Sequence, residues 1–184
     1  MAILSIRLIG DPVLRTQSEP VTDFGAGLRK LIADMEETMH DVDGAGLAAP
    51  QIGVNLRIFT YSAGGESGHV VNPVLEVGDE GQEGSEGCLS VPGLGFPTPR
   101  REWARVTGLD QDGEPVVVEG TGVLARALQH ETDHLNGILY INRLIGDERK
   151  DAMRAIRDRG YEGLSASTRQ ERARNVGSSF RVNS

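Results

Sequence analysis

The sequence predicts an α+β protein in which antiparallel sheets pack around a central metal-binding helix, with an N-terminal helix and a C-terminal helix beside them. Three observations lead to this prediction. Segments with helical periodicity lie near the start, near residue 130 and near residue 150. Strand-like runs occur in pairs joined by short glycine-containing connectors. His130 and His134 stand four residues apart, so both project from one face of the central helix.

The N-terminal part contributes one strand and one helix to this prediction. Residues 3–9 form a short apolar run that ends at the turn residues 10–12, which predicts a strand within residues 2–16 that wraps on the body. From residue 28 the apolar positions follow helical spacing, which predicts an amphipathic helix over residues 25–41 with Asp23 as its cap. The methionines on this stripe are expected to be core residues.

Two hairpins are predicted to supply the sheets. Strand-like runs at 56–61 and 69–77 are separated by a Gly/Ser-rich connector, and runs at 101–109 and 115–119 are separated by an Asp-Gly turn. Before the first hairpin, residues 44–53 include three glycines and a proline, which predicts a shaped loop rather than a regular element.

The central helix is predicted to run from Thr121, a good capping residue, to Asn136, with Gly137 as its stop signal. Steps of three, four and seven residues back from His130 reach the positions that lie on the same face under the metal, namely Ala127, Arg126 and Val123. Two interpretations of Arg126 stay open. It is an exposed helix charge, or its stem lines a pocket while its head pairs with Glu86. A thinly anchored helix over residues 147–159 completes the predicted elements.

The stretch 129–134 (QHETDH) carries the strongest chemical signal. Two histidines can share a metal ion, and a glutamate adjacent to the first cannot easily reach the same ion, so Glu131 is free to take and return a proton. A catalytic metal usually has three protein ligands. The candidates for the third are His40, His69, a carboxylate and Cys88.

The loop around residues 44–51 is the second candidate for function. Glycines let the backbone approach a ligand closely, and Gln51 brings an uncharged side-chain donor, so the loop has the ingredients of an oxyanion hole. The simpler interpretation is a turn between a helix and a strand.

Composition sets the remaining bounds. A length of 184 residues and a hydrophobic fraction of 38% suit one globular domain, which we assign to residues 1–160, followed by a basic, polar and flexible tail at 161–184. Residues 1–142 carry 9 basic and 21 acidic residues, net −12, whereas 143–184 carry 10 and 6, net +4. The single cysteine and the absence of a long apolar run predict a cytoplasmic protein with neither a membrane nor DNA as a partner.

Three stretches together resemble the three motifs of the peptide deformylase family, in the right order and spacing. They are residues 44–51 (GAGLAAPQ), 86–90 (EGCLS) and 129–135 (QHETDHL). The resemblance covers residues 1 to about 158, and residues 88–109 are similar to the actinobacterial branch. Each motif is only suggestive alone, but the three together make a chance match very improbable.

The resemblance implies a catalytic site and a reaction. Cys88, His130 and His134 would bind one Fe²⁺ ion per chain, which Zn²⁺ can replace, with water at the open position. Glu131 would be the general base, and the Gln51 amide and the Leu89 backbone N–H would hold the oxyanion. The reaction would release formate from the N-terminal formylmethionine of newly synthesised chains.

The resemblance also implies how the substrate binds. Backbone groups of Ala45 and Gly46 would pair with the peptide as an added strand. The methionine side chain would enter a pocket formed by Glu86, Val123, Arg126 and Ala127.

Three further hypotheses stand beside this interpretation. A zincin-type protease would share the HExxH pattern but take its third ligand from downstream, from Glu148 or Glu162. A non-catalytic binding protein would use the metal only structurally, which requires a fourth protein ligand. The net charge of +4 on residues 143–184 suggests that this segment holds the protein near ribosomal RNA at the tunnel exit, the alternative being a solvated extension.

Overall fold

The structure is a computed structural model that describes residues 2–159. The predicted tail at 161–184 lies outside the described residues, so its flexibility and the domain boundary stay predictions. The helices are α1 (Ala26–Asp41), α2 (Gly122–Leu135) and α3 (Gly146–Arg159). The strands are β1 (Gly46–Ala48), β2 (Ile58–Ala63), β3 (Glu66–Val77), β4 (Gly81–Gln82), β5 (Ser85–Cys88), β6 (Val91–Pro97), β7 (Arg100–Arg101), β8 (Trp103–Leu109) and β9 (Pro115–Thr121).

The main sheet has five antiparallel strands in the order β1-β2-β3-β8-β9, so β1 and β9 are its edges. Both predicted hairpins are confirmed as β2–β3 and β8–β9. Two short antiparallel ribbons, β4–β7 and β5–β6, complete the strands of the described residues. The architecture confirms the predicted α+β class with antiparallel sheets.

Helices cover both faces of the main sheet because successive residues of its strands point to opposite sides. On β2, Ile58 packs with the α1 residues Met35 and Met39, whereas Phe59 packs with α2 through Leu128. The methionine stripe of α1 is thus core, as predicted. A third cluster joins the β5–β6 ribbon to α3 and to the segment that follows α2.

Helix α2 is enclosed along almost all of its length, since every residue from Leu124 to Leu135 is buried. The predicted bounds are confirmed: Thr121 occupies the N-cap position, Asn136 is the C-cap, and Gly137 follows with a φ of 71°. The Thr121 side chain makes no capping hydrogen bond. A buried helix that carries this many polar side chains needs partners for them inside the protein. Most of those partners belong to the site described below.

The predicted N-terminal strand is wrong. Residues 2–9 run extended along α1, where the Ala2 N–H donates to Asp34 at 3.0 Å and the Leu4 N–H to Thr38 at 2.9 Å. The Ala2 and Leu4 N–H groups therefore bond to helix side chains. The Arg7 and Ile9 N–H groups donate to the backbone carbonyls of Gln51 and Ser90, at 2.6 and 2.8 Å, and neither of these residues belongs to a strand. The segment ends in a 3-10 turn at Pro12–Arg15, which the Asp11 side chain caps.

Two further details concern the helices. The predicted Asp23 cap of α1 is wrong, because the N-cap is Gly25 and no side-chain capping bond is made there. Among residues 2–159, no helix combines the length and the apolar character needed to cross a lipid bilayer.

Candidate metal centre and active site

Three side chains from two elements converge at the middle of the protein. His130 and His134 lie one turn apart on α2, and Cys88 ends β5. The His134 Nε2 atom is 3.3 Å from Cys88 Sγ and 3.2 Å from His130 Nε2, and the potential ligand atoms of all three residues lie within 4.8 Å of one another. Within residues 2–159 this is the one group of three or more such residues found close enough to hold a metal ion.

The other candidates for a third ligand lie elsewhere. His40 is exposed at the end of α1. His69 places Nδ1 3.0 Å from a carboxylate oxygen of Glu36, and its Nε2 accepts from the Gln111 N–H at 3.3 Å. Of the alternatives left open by the sequence, Cys88 is the one that the structure brings to the two histidines.

The donor set fits one ion of intermediate softness, because a thiolate and two imidazoles suit zinc or ferrous iron. The carboxylate of Glu131 stands beside this set: its side chain is 2% exposed, and its Oε2 has no hydrogen-bond partner in the described part of the chain. Burial raises the pKa of Glu131 to about 7. A buried carboxyl group with a spare oxygen beside an open ligand set is the arrangement of a general base.

Glu86 fixes the orientation of His130. The His130 Nδ1 atom lies 2.8 Å from Glu86 Oε2, which turns Nε2 toward Cys88 and His134. Burial by itself would raise the pKa of Glu86, but hydrogen bonds from His130 and Arg100 outweigh it and lower the pKa to about 2. Glu86 was expected to contact substrate. Its complete burial behind His130 suits a positioning role better than direct contact.

Arg100 is the centre of a chain of ion pairs that runs from Glu86, beside His130, to the partly exposed Arg143. Its guanidinium donates to Glu86 at 2.6 and 3.0 Å and to Asp133 at 2.6 Å, and Asp133 in turn accepts from Arg143 at 2.6 and 3.0 Å. No role for Arg100, Asp133 or Arg143 was predicted from the sequence. Asp133 offered one signal, as a carboxylate beside His134 in a helix that had to be buried, but its partners come from distant segments.

Gln129, on the same helix, was also missed. Its side-chain amide pairs with both backbone groups of Arg101, as a neighbouring strand would. Oε1 accepts from the Arg101 N–H at 2.9 Å, and Nε2 donates to the Arg101 carbonyl at 2.8 Å. This pair of bonds ties α2 to β7 and so holds the segment that carries Arg100 in place.

Of the two interpretations of Arg126, the structure supports the one in which its head pairs with Glu86. Its side chain is 3% exposed, and Nη1 donates to Glu86 and to the Thr98 carbonyl, both at 3.0 Å. The predicted pairing with Glu86 is confirmed. Val123 and Arg126 line a cavity of about 890 Å³. Ala127, predicted beside them, is fully buried in the core between α2 and the sheet.

The side-chain amide of Gln51 is held so that its N–H groups face the Cys88 side of the site. Gln51 Oε1 accepts from the Ala48 N–H at 2.8 Å, which fixes the amide so that Nε2 lies 3.6 Å from Cys88 Sγ and 3.3 Å from Ser90 Oγ. Leu89 follows Cys88 directly and is 8% exposed. The sequence did not indicate Ser90, which anchors the donor nitrogen of Gln51.

The backbone of strand β1 lies against the side chain of Glu131 at Gly46. A Cβ atom added at Gly46 would collide with that carboxylate, lying 2.6 Å from Cδ and 2.7 Å from Cγ. The glycine is therefore required for close approach rather than for an unusual φ.

We expect Gly46→Ala to lower the hydrolytic activity of this site at least about tenfold, because the methyl group must displace Glu131 from its position. Gly44→Ala is the matched control, since its Cβ would meet neighbours at 3.4 Å, which is ordinary contact. Steady-state rates and thermal melting of both variants check the prediction. Equal activity of the two variants would contradict it.

The chain is similar to known proteins along most of its length. The family model described as polypeptide deformylase matches residues 3–150. The peptide deformylase of Acidothermus cellulolyticus is 57% identical over 163 residues, covering 89% of this chain and 91% of that protein. The peptide deformylase of Mycobacterium sp. (strain JLS) is 51% identical over 185 residues, covering 90% and 94%. Both are actinobacterial, which agrees with the predicted branch.

Solved structures agree in fold as well as in sequence. The crystal structure of peptide deformylase from Thermus thermophilus is 44% identical with a TM-score of 0.80, covering 85% of this chain and 95% of that one. The structure from Thermotoga maritima is 42% identical with a TM-score of 0.76, covering 79% and 100%. The zincin alternative is wrong, because the matching family is polypeptide deformylase and the third donor is Cys88, which lies upstream of the helix. Of the two downstream ligands considered for a zincin, Glu148 is exposed on α3 and Glu162 lies outside the described residues. The chain belongs to the polypeptide deformylase family.

Proposed function

We propose that the site around Cys88, His130 and His134 carries out the reaction of this family, the hydrolytic removal of the N-formyl group, as formate, from the N-terminal formylmethionine of newly synthesised proteins. The single observation that carries the proposal is the convergence of these three donors beside the buried, partly unpartnered carboxylate of Glu131. A structural site would be closed by a fourth protein ligand, whereas a catalytic site keeps one position open.

Cys88, His130 and His134 would hold one ion, for which we propose Fe²⁺ with Zn²⁺ as a functional replacement. When bound, the ion polarises the formyl carbonyl and acidifies water. The mixed sulfur and nitrogen donor set supports an ion of this class, iron or zinc, and the hydrogen bond of His130 to Glu86 strengthens a histidine ligand for either. The choice of iron follows the family resemblance.

Glu131 would move the proton of the reaction. It takes a proton from the attacking water as the C–O bond to the formyl carbon forms, and it returns that proton to the methionine nitrogen as the C–N bond breaks. The products are formate and a free amino terminus. The Gln51 amide, aimed at the Cys88 side of the site, and the Leu89 N–H would stabilise the oxyanion between these two events.

The peptide would bind along β1, which is an edge strand of the main sheet. Ala45 and Gly46 are the pairing residues that we propose, because an added strand can use the unpaired edge of β1. The methionine side chain would then point toward the α2 face of Val123 and Arg126, with Ala127 as packing beneath it.

We also propose that the protein works in the cytoplasm and that residues 143–184 bring it to the ribosome, supported by the net charge of +4 on that segment. A chain truncated after Arg159 is expected to co-sediment less with ribosomes at low salt. Unchanged co-sedimentation would rule the tail out.

The central experiment measures formate release from formyl-Met-Ala-Ser by protein loaded anaerobically with iron or with zinc. We expect turnover with both and a higher rate with iron. Cys88→Ala should lose both the metal and the activity, because two histidines are too few ligands for tight binding. His40→Ala is the matched control and should behave like the wild type. Metal-loaded protein without turnover would contradict the proposed function, and equal rates with zinc would contradict iron.

A further inference from the structure

The N-terminal segment, residues 2–9, is bonded to two separate loops of the site. The Arg7 N–H donates to the Gln51 carbonyl at 2.6 Å, and the Ile9 N–H donates to the Ser90 carbonyl at 2.8 Å. Residues two apart in an extended chain direct their N–H groups to the same side, about 6–7 Å from each other. One short segment therefore holds the backbones of both loops.

Gln51 and Ser90 are also joined through their side chains. Gln51 Nε2 lies 3.3 Å from Ser90 Oγ and 3.6 Å from Cys88 Sγ. Strand β1, which precedes Gln51, belongs to the main sheet, whereas β5, which precedes Ser90, belongs to the β5–β6 ribbon. The two loops are thus not held together by a shared ladder of strand hydrogen bonds, and the bonds from Arg7 and Ile9 connect their backbones instead.

The side chains of the segment contact the same two parts of the protein. Ile6 packs against the cluster that contains Leu89, whereas Ile9 packs against the cluster that contains Cys88. The Arg7 side chain lies over Gly53, where an added Cβ would be 2.7 Å from Arg7 Nε. Packing therefore supports the position that the two backbone bonds give to the segment.

The start of the segment is anchored on α1. The Ala2 and Leu4 N–H groups donate to Asp34 and Thr38, and both of these acceptor residues are buried. The segment is thus held by a helix at one end and by the two loops at the other. A backbone fixed at both ends can keep the loops at a constant separation.

We propose that Arg7 and Ile9 are positioning residues, whose backbone N–H groups hold the Gln51 amide where it stabilises the oxyanion. The inference rests on the proposed function and adds two residues to that same site. Neither residue touches the substrate. An oxyanion donor acts on charge that develops in the transition state, so a displaced Gln51 lowers kcat more than it raises KM.

The experiment removes one N–H group and keeps the rest of the segment. In metal-loaded Arg7→Pro we expect kcat for formyl-Met-Ala-Ser to fall about 10- to 100-fold, with KM within about threefold of the wild type. Arg7→Ala is the matched control, because it loses the guanidinium but keeps the N–H, and its kcat should stay within about twofold of the wild type. Metal content per chain should be unchanged in both.

Two further variants test the bond and the proline separately. Ile9→Pro removes the bond to Ser90 and should lower kcat as Arg7→Pro does. Ser5→Pro places a proline at an exposed position of the segment where no hydrogen bond of the N–H group is found among the described residues, so it should leave kcat within about twofold of the wild type.

A double-mutant cycle distinguishes positioning from a general loss of structure. If Arg7 acts through the Gln51 amide, Arg7→Pro lowers kcat less than about threefold in a Gln51→Leu background, because the donor that it positions is already absent. An effect on overall structure would lower kcat by the same factor in both backgrounds. Thermal melting of all variants gives their folded state at the assay temperature.

Each contrary outcome has a definite meaning. Equal kcat in Arg7→Pro and Arg7→Ala overturns the inference, and so do equal losses in the two backgrounds of the cycle. Unfolding of Arg7→Pro and Ile9→Pro at a temperature where Ser5→Pro stays folded gives the segment a structural role only, which also overturns it. No formate from the metal-loaded wild type counts against the proposed function itself.

Discussion

Glu131→Gln is expected to lower kcat for formate release by about a thousandfold while the protein keeps its metal, since general acid–base catalysis contributes about 10² to 10⁴ in rate. The amide has nearly the size of the carboxylate that faces Gly46, so the packing against β1 is preserved. It cannot take a proton from water at neutral pH. Rates with formyl-Met-Ala-Ser and metal content per chain check the prediction.

Glu76→Gln is the control for this substitution, because Glu76 is exposed on β3 and lies in a different part of the protein. It should change neither the rate nor the metal content. A Glu131→Gln protein that keeps more than about a tenth of the wild-type rate would show that another group moves the proton. A variant that loses its metal would instead assign Glu131 a part in holding the ligand set.

Arg100→Leu is expected to lower the free energy of unfolding by about 3–5 kcal/mol, the usual cost of removing one partner from a buried ion pair. Arg100 is 6% exposed and neutralises Glu86 and Asp133, which are themselves buried. Without it, the two carboxylates lose their shared partner inside the protein. Urea unfolding of the metal-free protein measures the effect.

Arg101→Leu is the matched control, because the neighbouring arginine is exposed and its guanidinium donates only to the Asp79 carbonyl among the hydrogen bonds found for it. Its expected cost is below about 1 kcal/mol. In Arg100→Leu, metal affinity should also fall about 10- to 100-fold, because Glu86 orients His130 less firmly. Equal stability of the two variants would contradict the role given to the buried network.

Local patterns were sufficient where the physical cause is local. The bounds of α2, its Thr121 cap and its Gly137 stop follow from residues within one turn of each end. The hairpins β2–β3 and β8–β9 join strands that are adjacent in sequence, so their turn residues predict them. The convergence of His130 and His134 follows from helix geometry alone.

Prediction failed where a partner comes from far along the chain. Residues 2–9 have the apolar run of a strand, but the Ala2 and Leu4 N–H groups bond to side chains of α1 and the Arg7 and Ile9 N–H groups bond to two loop carbonyls, which no local pattern reveals. Arg100 looks like one more charged residue in a stretch that contains two prolines. Its importance comes from Glu86 and Asp133, which lie 14 and 33 residues away in sequence.

Sequence patterns were enough to predict the class of the fold, the metal-binding face of α2 and, through the three motifs, the family. Helix periodicity and motif spacing depend only on residues that are close in sequence, so they can be recognised before the fold is known. The tertiary structure confirmed Cys88, which the three motifs had implied, as the residue that meets the two histidines. It was also needed to show that Glu86 stands behind His130 and that Arg126 pairs with Glu86 instead of being exposed. These facts depend on how β5, β7 and α2 pack together, because a buried charge takes its role from the partners that the fold brings to it.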